Sequence, residues 1–395
     1  MTDQPLYAGH YRVRITPPVG TFLMGYASRT QPSEGVHDDL YANAVALSDG
    51  ARRADAARRV VLVALDVCSL EVSQGRRVQE AIAARTGLAP NAVLLNFSHT
   101  HAGPLIGRVG SDRYDEDAFL GVLAGAVEAA AGALEDLAPA TLATSSAPAD
   151  VGLNRRERTA EGTIILGRNP EGATLGEVTL WLLAREGRAD IALWSIPMHG
   201  TTLGGENLQI SAEWMGAAVR EVEEARPGLV AVFLQGCGAD QNPYRGERSF
   251  RQVAENGRRA ARAVLMALET LKPAGALPLV NVAREMPIPV DGGGTSPAPI
   301  HGLRLGDVAL VGLGGEAFVE YALHARTRSA ASSTMALGYT DGVVGYLPTA
   351  IAYEEGGYEP NAYKVFAAAR PWDPALEGVI KAEIDRMLAD LGVAR

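Results

Sequence analysis

Residues 91–104, NAVLLNFSHTHAGP, decide how this chain is read. The apolar run over 91–97, flanked by polar residues, predicts a short buried strand. His99 and His101 follow directly at its end. Side chains alternate along extended backbone, so two residues separated by one return to the same side. The pair can therefore address a single ligand from the end of a strand. In open α/β sheets that is where binding sites gather.

Working outward, the same strand grammar recurs with helices between. Residues 59–66 predict a buried strand, and 72–84 have helical periodicity and end at Gly87-Leu-Ala-Pro90. Helices are expected over 116–137, 211–224, 250–271 and near 374–391, and another over 316–327 opening after Gly314-Gly315. Strands are expected over 177–183, 191–196 and 229–234. Mixed strands and helices of this kind imply an α/β fold, a layered sandwich of mixed β-sheet flanked by helices. There is no repeat or low-complexity linker. Residues 291–299, DGGGTSPAP, read as a flexible loop inside one unit covering 1–395. Residues 342–371, rich in Gly, Pro and Tyr, lack periodicity; such segments often lie over active sites.

The bulk composition narrows the function. With 395 residues and a formal charge of −10, neither nucleic acid nor an anionic lipid surface is a default partner, and a small-molecule substrate is expected. The N-terminus has no basic region followed by an apolar stretch, and no uninterrupted apolar run matches a bilayer. The expectation is a cytoplasmic protein without a membrane span. Cys68 and Cys237 make neither a disulfide framework nor a thiolate zinc site, and Cys237 reads as buried and inert. GxSxG, Walker A, GxGxxG and HExxH motifs are all missing from the sequence.

A second histidine cluster, Met198-His-Gly-Thr201, follows the strand ending at 196. Imidazole suits Zn²⁺. Each histidine alone reads as a hydrogen-bonded residue near the core; clustering behind two strands favours a site. A third constellation, VFLQGCGADQNP over 232–243, carries Asp240. Its Gly236 and Gly238 can expose N–H groups to an oxyanion, or the segment is a tight turn with Asp240 capping the next segment. Arg155, beside Arg156 and Arg158, reads on its own as a solvated face. Asp66 reads either as support for a histidine or as a structural acceptor. His37 either lines the site or belongs to a turn. His10, His301 and His324 read as ordinary histidines.

These residues fall in an order that resembles the catalytic region of the neutral, non-lysosomal ceramidases. The series runs through Ile15-Thr-Pro-Pro-Val-Gly20, Met24-Gly-Tyr26, Gly35-Val-His37, Asp66 and Ser98-His-Thr-His-Ala-Gly-Pro104. It continues through Asn154-Arg155, His199-Gly200, the 235–243 turn and Gly315-Glu316, and ends with Tyr346 and Tyr358 around Tyr353-Glu-Glu355. The resemblance implies a ceramidase-like catalytic domain with Zn²⁺ held by His99, His199, Glu316 and Tyr346. It implies substrate contacts from His101, Arg155 and Tyr358, and Asp240 completes the expected catalytic set. Metal-activated water would then cleave an amide or ester bond. The sequence departs from the family at two points. The family's Gly-Asp-x-Ser-Pro-type turn has no Ser here, with Gln241 the nearest match. The C-terminal β-sandwich of the longer relatives is also expected to be missing, which makes a soluble small molecule the more natural substrate. A zinc-dependent lyase or other hydrolase acting on a sugar or natural product, and a non-catalytic binding protein on the same fold, are the alternatives.

Overall fold

A computed structural model describes residues 6–50, 58–107, 113–366 and 370–395. Its main sheet runs in the order Leu229–Gln235, Asp190–Ile196, Glu177–Arg185, Ala138–Pro148, Leu6–Arg14, Tyr41–Ser48, Arg59–Leu65 and Val93–Phe97, with Lys272–Ala274 added on Ala138–Pro148. Only the outermost pairs are parallel, Asp190–Ile196 with Leu229–Gln235 and Arg59–Leu65 with Val93–Phe97.

The period-two pattern explains the layering. In Arg59–Leu65, Val61, Val63 and Leu65 face a core shared with Val78 and Ile82 of the helix Val72–Thr86 and Phe119 and Val122 of Glu116–Glu135. Val60, Leu62 and Ala64 face the opposite way, toward Leu303, Leu305, Val308 and Leu310 of a second sheet. That sheet orders Leu279–Pro289, Thr295–Leu305, Val308–Leu313 and Ser333–Leu337. Its far face, with Val311 and Leu313, packs on Tyr321 of Val319–Arg328 and Ile380 and Ile384 of Leu376–Asp390. The other half of the main sheet is covered by Glu213–Ala225 and Phe250–Leu268, through Trp194 and Phe233 against Trp214 and Val264. The result is helix, sheet, sheet, helix, with strands such as Arg59–Leu65 and Val93–Phe97 buried on both faces.

The main sheet curls until its two edges meet. Asn96, the polar residue inside the apolar run, is fully buried. Its Oδ1 accepts from Gln235 N at 2.7 Å, and its Nδ2 donates to Gly338 O at 2.9 Å and Gln235 O at 3.3 Å. The amide thus satisfies edge groups that would otherwise be buried unpaired. It also brings the carboxyl ends of Val93–Phe97 and Leu229–Gln235 together.

Several expectations need correction. The expected helix at 316–327 starts at Val319; Glu316–Ala317 is a short strand paired parallel with Tyr346–Leu347. The expected loop 291–299 is largely hairpin: Pro289 pairs with Thr295, leaving a turn in which Gly292, Gly293 and Gly294 all take positive φ. The strands Leu6–Arg14, Tyr41–Ser48 and Ala138–Pro148 were not anticipated. By length and composition alone Glu116–Glu135 is long and apolar enough to cross a membrane, although Glu128 interrupts its apolar run, so the expectation of no uninterrupted bilayer-length run is not contradicted. Its apolarity comes from alanines such as Ala126, Ala129, Ala130 and Ala133, all buried on the sheet.

Candidate metal centre and cavity

His99, His199 and Glu316 come from three separate strand ends and converge. Both His99 Nε2, at 3.3 Å, and His199 Nε2, at 3.4 Å, approach the same oxygen, Glu316 Oε2. All three residues are buried. His99 Nδ1–H donates to Cys68 O at 2.8 Å, and His199 Nδ1–H donates to Gly238 O at 2.6 Å. Anchoring Nδ1 on a carbonyl fixes the tautomer and turns the Nε2 lone pair inward, as in metal-ligating histidines.

The backbone explains the convergence. His99 sits at φ 60°, the left-handed region, so the two rings meet through a turn and not by alternation along extended chain as expected. Its conformation is held by His99 N donating to Val67 O at 3.0 Å. The two histidine loops are bonded to each other, with His101 N donating to Gly200 O at 3.0 Å. Only glycine fits at 200: an added Cβ would stand 2.6 Å from His99 O. Glu316 is placed by its parallel register with Tyr346 and receives Tyr339 Oη–H at 3.3 Å.

The buried carboxylate and the two histidines shift one another's ionisation. Burial opposes ionisation of Glu316, but His99 and His199 hold it well below the usual carboxylate range. Burial also opposes a charge on His99, yet the Cys68 sulfur and Glu316 outweigh it and raise it to about 10. Burial, reinforced by Arg155, lowers His199 to about 3. Two inward imidazole nitrogens and an ionised carboxylate, with ligand atoms all within 4.8 Å, form a donor set that fits zinc. Cys68, His99 and His101 form a second such group. Cys68 was not anticipated as a site residue.

The remaining expected residues divide. His101 Nε2 lies 3.0 Å from His99 Nε2, and its buried Nδ1 has no hydrogen-bond partner among the described residues. Burial first, then the neighbouring histidines, push its pKa well down, so its ring is neutral. Arg155 is buried, not solvated. Its Nη1 lies 3.2 Å from His199 Nε2, and its Nη2 donates to Tyr346 Oη at 3.3 Å. Tyr346 and Tyr358 meet edge to face at 5.5 Å. His99, His101, Glu316, Tyr346 and Tyr358 share the wall of a cavity of about 540 Å³, within the range of small-molecule sites.

Asp240 does not reach that cavity. Its Oδ1 accepts from Val319 N at 3.0 Å and its Oδ2 from Asn154 Nδ2 at 2.8 Å. It caps the remote helix Val319–Arg328 and stands behind Arg155, whose N donates to Asp240 O at 2.7 Å. The 235–243 turn serves the site through carbonyls, not N–H groups. A Cβ at Gly238 would meet Met198 N at 2.7 Å, so its space is filled by the neighbouring chain. Gln241 turns its side chain away, donating from Nε2 to Ala173 O at 3.0 Å. Cys237 is buried, as expected. Asp66 accepts from Tyr41 N at 3.0 Å and acts structurally, and His37 pairs with Asp38 and stacks on Phe250. Sequence reasoning missed Tyr339, whose ring lies 4.2 Å from that of His99, and Glu359, which pairs with Arg155. Only the position of Glu359 next to Tyr358 hinted at a role.

This architecture is shared with solved ceramidases. A neutral ceramidase from Pseudomonas aeruginosa matches with a TM-score of 0.82 at 18% identity, over 100% of this chain and 76% of that one. A ceramidase complexed with C2 matches with a TM-score of 0.81 at 17% identity, over 98% and 75%. At such identities the likeness speaks for the fold. No curated protein matches the chain in sequence. The family model described as neutral/alkaline non-lysosomal ceramidase, N-terminal, matches residues 8–244. That is more than half of the sequence, and the chain belongs to this ceramidase family.

Proposed function

We propose that this protein is a zinc-dependent hydrolase that cleaves an amide, or the corresponding ester, of a small-molecule substrate. The observation that carries the reading is the convergence of His99 Nε2 and His199 Nε2 on Glu316 Oε2, with His99 and Glu316 in the wall of the cavity and His199 buried behind them. His99, His199 and Glu316 would hold the ion, with Tyr346 alongside Glu316. Zinc, when bound there, supplies Lewis acidity toward a carbonyl oxygen and water.

The chain's own groups account for the rest. Arg155 keeps its charge: burial disfavours it, but Tyr346 and Glu359 more than compensate. Its guanidinium and the Tyr346 hydroxyl stand ready to hold negative charge developing on an acyl oxygen. Burial raises the Tyr346 hydroxyl well above its ordinary pKa, so it remains a donor. The neutral His101 ring, with an unpartnered Nδ1, can take a proton from the attacking water and hand it on to the departing amine nitrogen. Tyr358, partly exposed beside Tyr346, orients the substrate at the cavity mouth. No step requires a serine, so Gln241 at the family's serine position is compatible with hydrolysis.

The test is release of a carboxylic acid from a panel of acyl amides and esters, before and after chelation and zinc readdition. Zinc-restorable release supports the reading. Release that survives complete metal removal, or an unsaturated product without water incorporation, would overturn it.

A further inference from the structure

Tyr339 sits against the metal centre but outside the cavity. It is fully buried, and the cavity wall runs through His99, His101, Glu316, Tyr346 and Tyr358 without it. Its side chain still meets two of the three residues that would hold the ion. The ring leans on the His99 ring, with centroids 4.2 Å apart and planes at 31°. The hydroxyl donates to Glu316 Oε2 at 3.3 Å, the same oxygen that both imidazoles approach. The His199 ring stands edge-on at 6.3 Å. The backbone repeats the link. Tyr339 N donates to Gly315 O at 2.9 Å, one residue before Glu316, and Tyr339 O accepts from Phe97 N at 3.1 Å, two residues before His99.

Tyr339 has φ 51°, a left-handed conformation that is unfavourable for a bulky side chain and persists only where its surroundings impose it. Here they do. Asp341, also left-handed at φ 60°, accepts from Leu95 N at 2.8 Å through Oδ1 and meets His301 Nδ1 at 2.7 Å through Oδ2. His301 Nε2 in turn lies 2.8 Å from Asn281 Oδ1. Val93–Phe97 and the second sheet thus clamp the turn that carries Tyr339 from either side. We propose that Tyr339 is a positioning residue of the metal centre: its hydroxyl fixes the Glu316 carboxylate and its ring fixes the His99 imidazole, so that the ligand set is assembled before an ion arrives. A glutamate side chain otherwise loses rotamer freedom on binding, and ordering it in advance removes that cost. The inference rests on the metal-dependent reading above.

Zinc affinity of the full chain, measured by competition with a chromophoric chelator, tests it. Two variants stand beside the wild type: Tyr339→Phe, which keeps the ring and loses the hydroxyl, and Tyr339→Leu, which loses both. Tyr339→Phe is expected to weaken zinc binding by about 10- to 100-fold, the usual effect of removing a group that orients a ligand, and Tyr339→Leu by more. The visible spectrum of the cobalt-substituted protein should shift in both, because it reports how the ligands are held. A hydroxyl with a structural role alone would lower the unfolding temperature of the metal-free protein and leave the zinc affinity of the folded protein unchanged; that result would overturn the proposal. Circular dichroism verifies each fold, and should Tyr339→Leu not fold, Tyr339→Phe decides alone. A wild type that binds neither zinc nor cobalt would overturn the metal centre itself, and this role with it. A wild type that binds zinc beside a Tyr339→Phe within about twofold of it would overturn this role alone.

Discussion

Arg155 and Glu359 form a buried ion pair, Nε to Oε1 at 2.9 Å, with side chains 4% and 0% exposed. The other oxygen of Glu359 takes Arg156 Nη1 at 2.6 Å. One carboxylate therefore holds two adjacent arginines, and the first of them reaches both His199 and Tyr346. Glu359→Ala would take from buried Arg155 the carboxylate it pairs with and leave Arg156 with Glu355 alone. A loss of about 3–5 kcal/mol in unfolding free energy is expected, read by denaturant titration. Arg155→Lys should keep the charge but lose the fork that spans Glu359 and Tyr346, lowering kcat at least tenfold. A Glu359→Ala loss below about 1 kcal/mol would contradict this role for the pair.

Gly200 sets the spacing of the two histidine loops. An added Cβ would meet His99 O and Met215 Cε, each at 2.6 Å. The His99 carbonyl is backbone and cannot swing aside. Gly200→Ala is expected to destabilise the protein by about 1–3 kcal/mol and to weaken zinc retention together with it. Thermal unfolding and metal content of the same preparation check both.

Glu213 introduces a pH dependence. It is fully buried and accepts from Leu203 N at 2.8 Å. Burial raises it from 4.5 to about 7, although those hydrogen bonds pull the other way. Between these values the folded chain holds a proton that the unfolded chain has lost. Its contribution is therefore fully present below about pH 4.5 and is lost as pH rises through about 7. Glu213→Gln, which cannot ionise, should gain relative stability over that window, on the order of 3 kcal/mol at most. Paired melting curves at the two ends of the window measure it. A difference that does not change with pH would rule this out.

The sequence made the strand ends and their histidines legible because Val93–Phe97 and Asp190–Ile196 are short apolar runs with a histidine two or three residues beyond their ends. Glu316 was legible only through the family resemblance. A single acid between Gly315 and Ala317 carries no local signal, and its placement depends on pairing with Tyr346 thirty residues away. Ala138–Pro148 was hidden by two prolines and by Ser, Thr and Ala, which look like a connector. Its strand identity comes from neighbours on both sides, Leu6–Arg14 and Glu177–Arg185. Arg155 looked solvated because three arginines crowd one segment. The acids that bury them, Glu355 and Glu359, lie some two hundred residues on. The left-handed turn at His99 follows from the contact between loops and has no counterpart in residue spacing.

The most direct test of the central claim is the zinc content of the purified full chain, measured by elemental mass spectrometry beside His199→Ala. Near-stoichiometric zinc is predicted in the wild type and its loss in the variant, with the variant's fold verified by circular dichroism. Wild-type protein that stays free of zinc after supplementation, or a folded His199→Ala that retains it fully, would contradict the assignment of His99, His199 and Glu316 as its ligands.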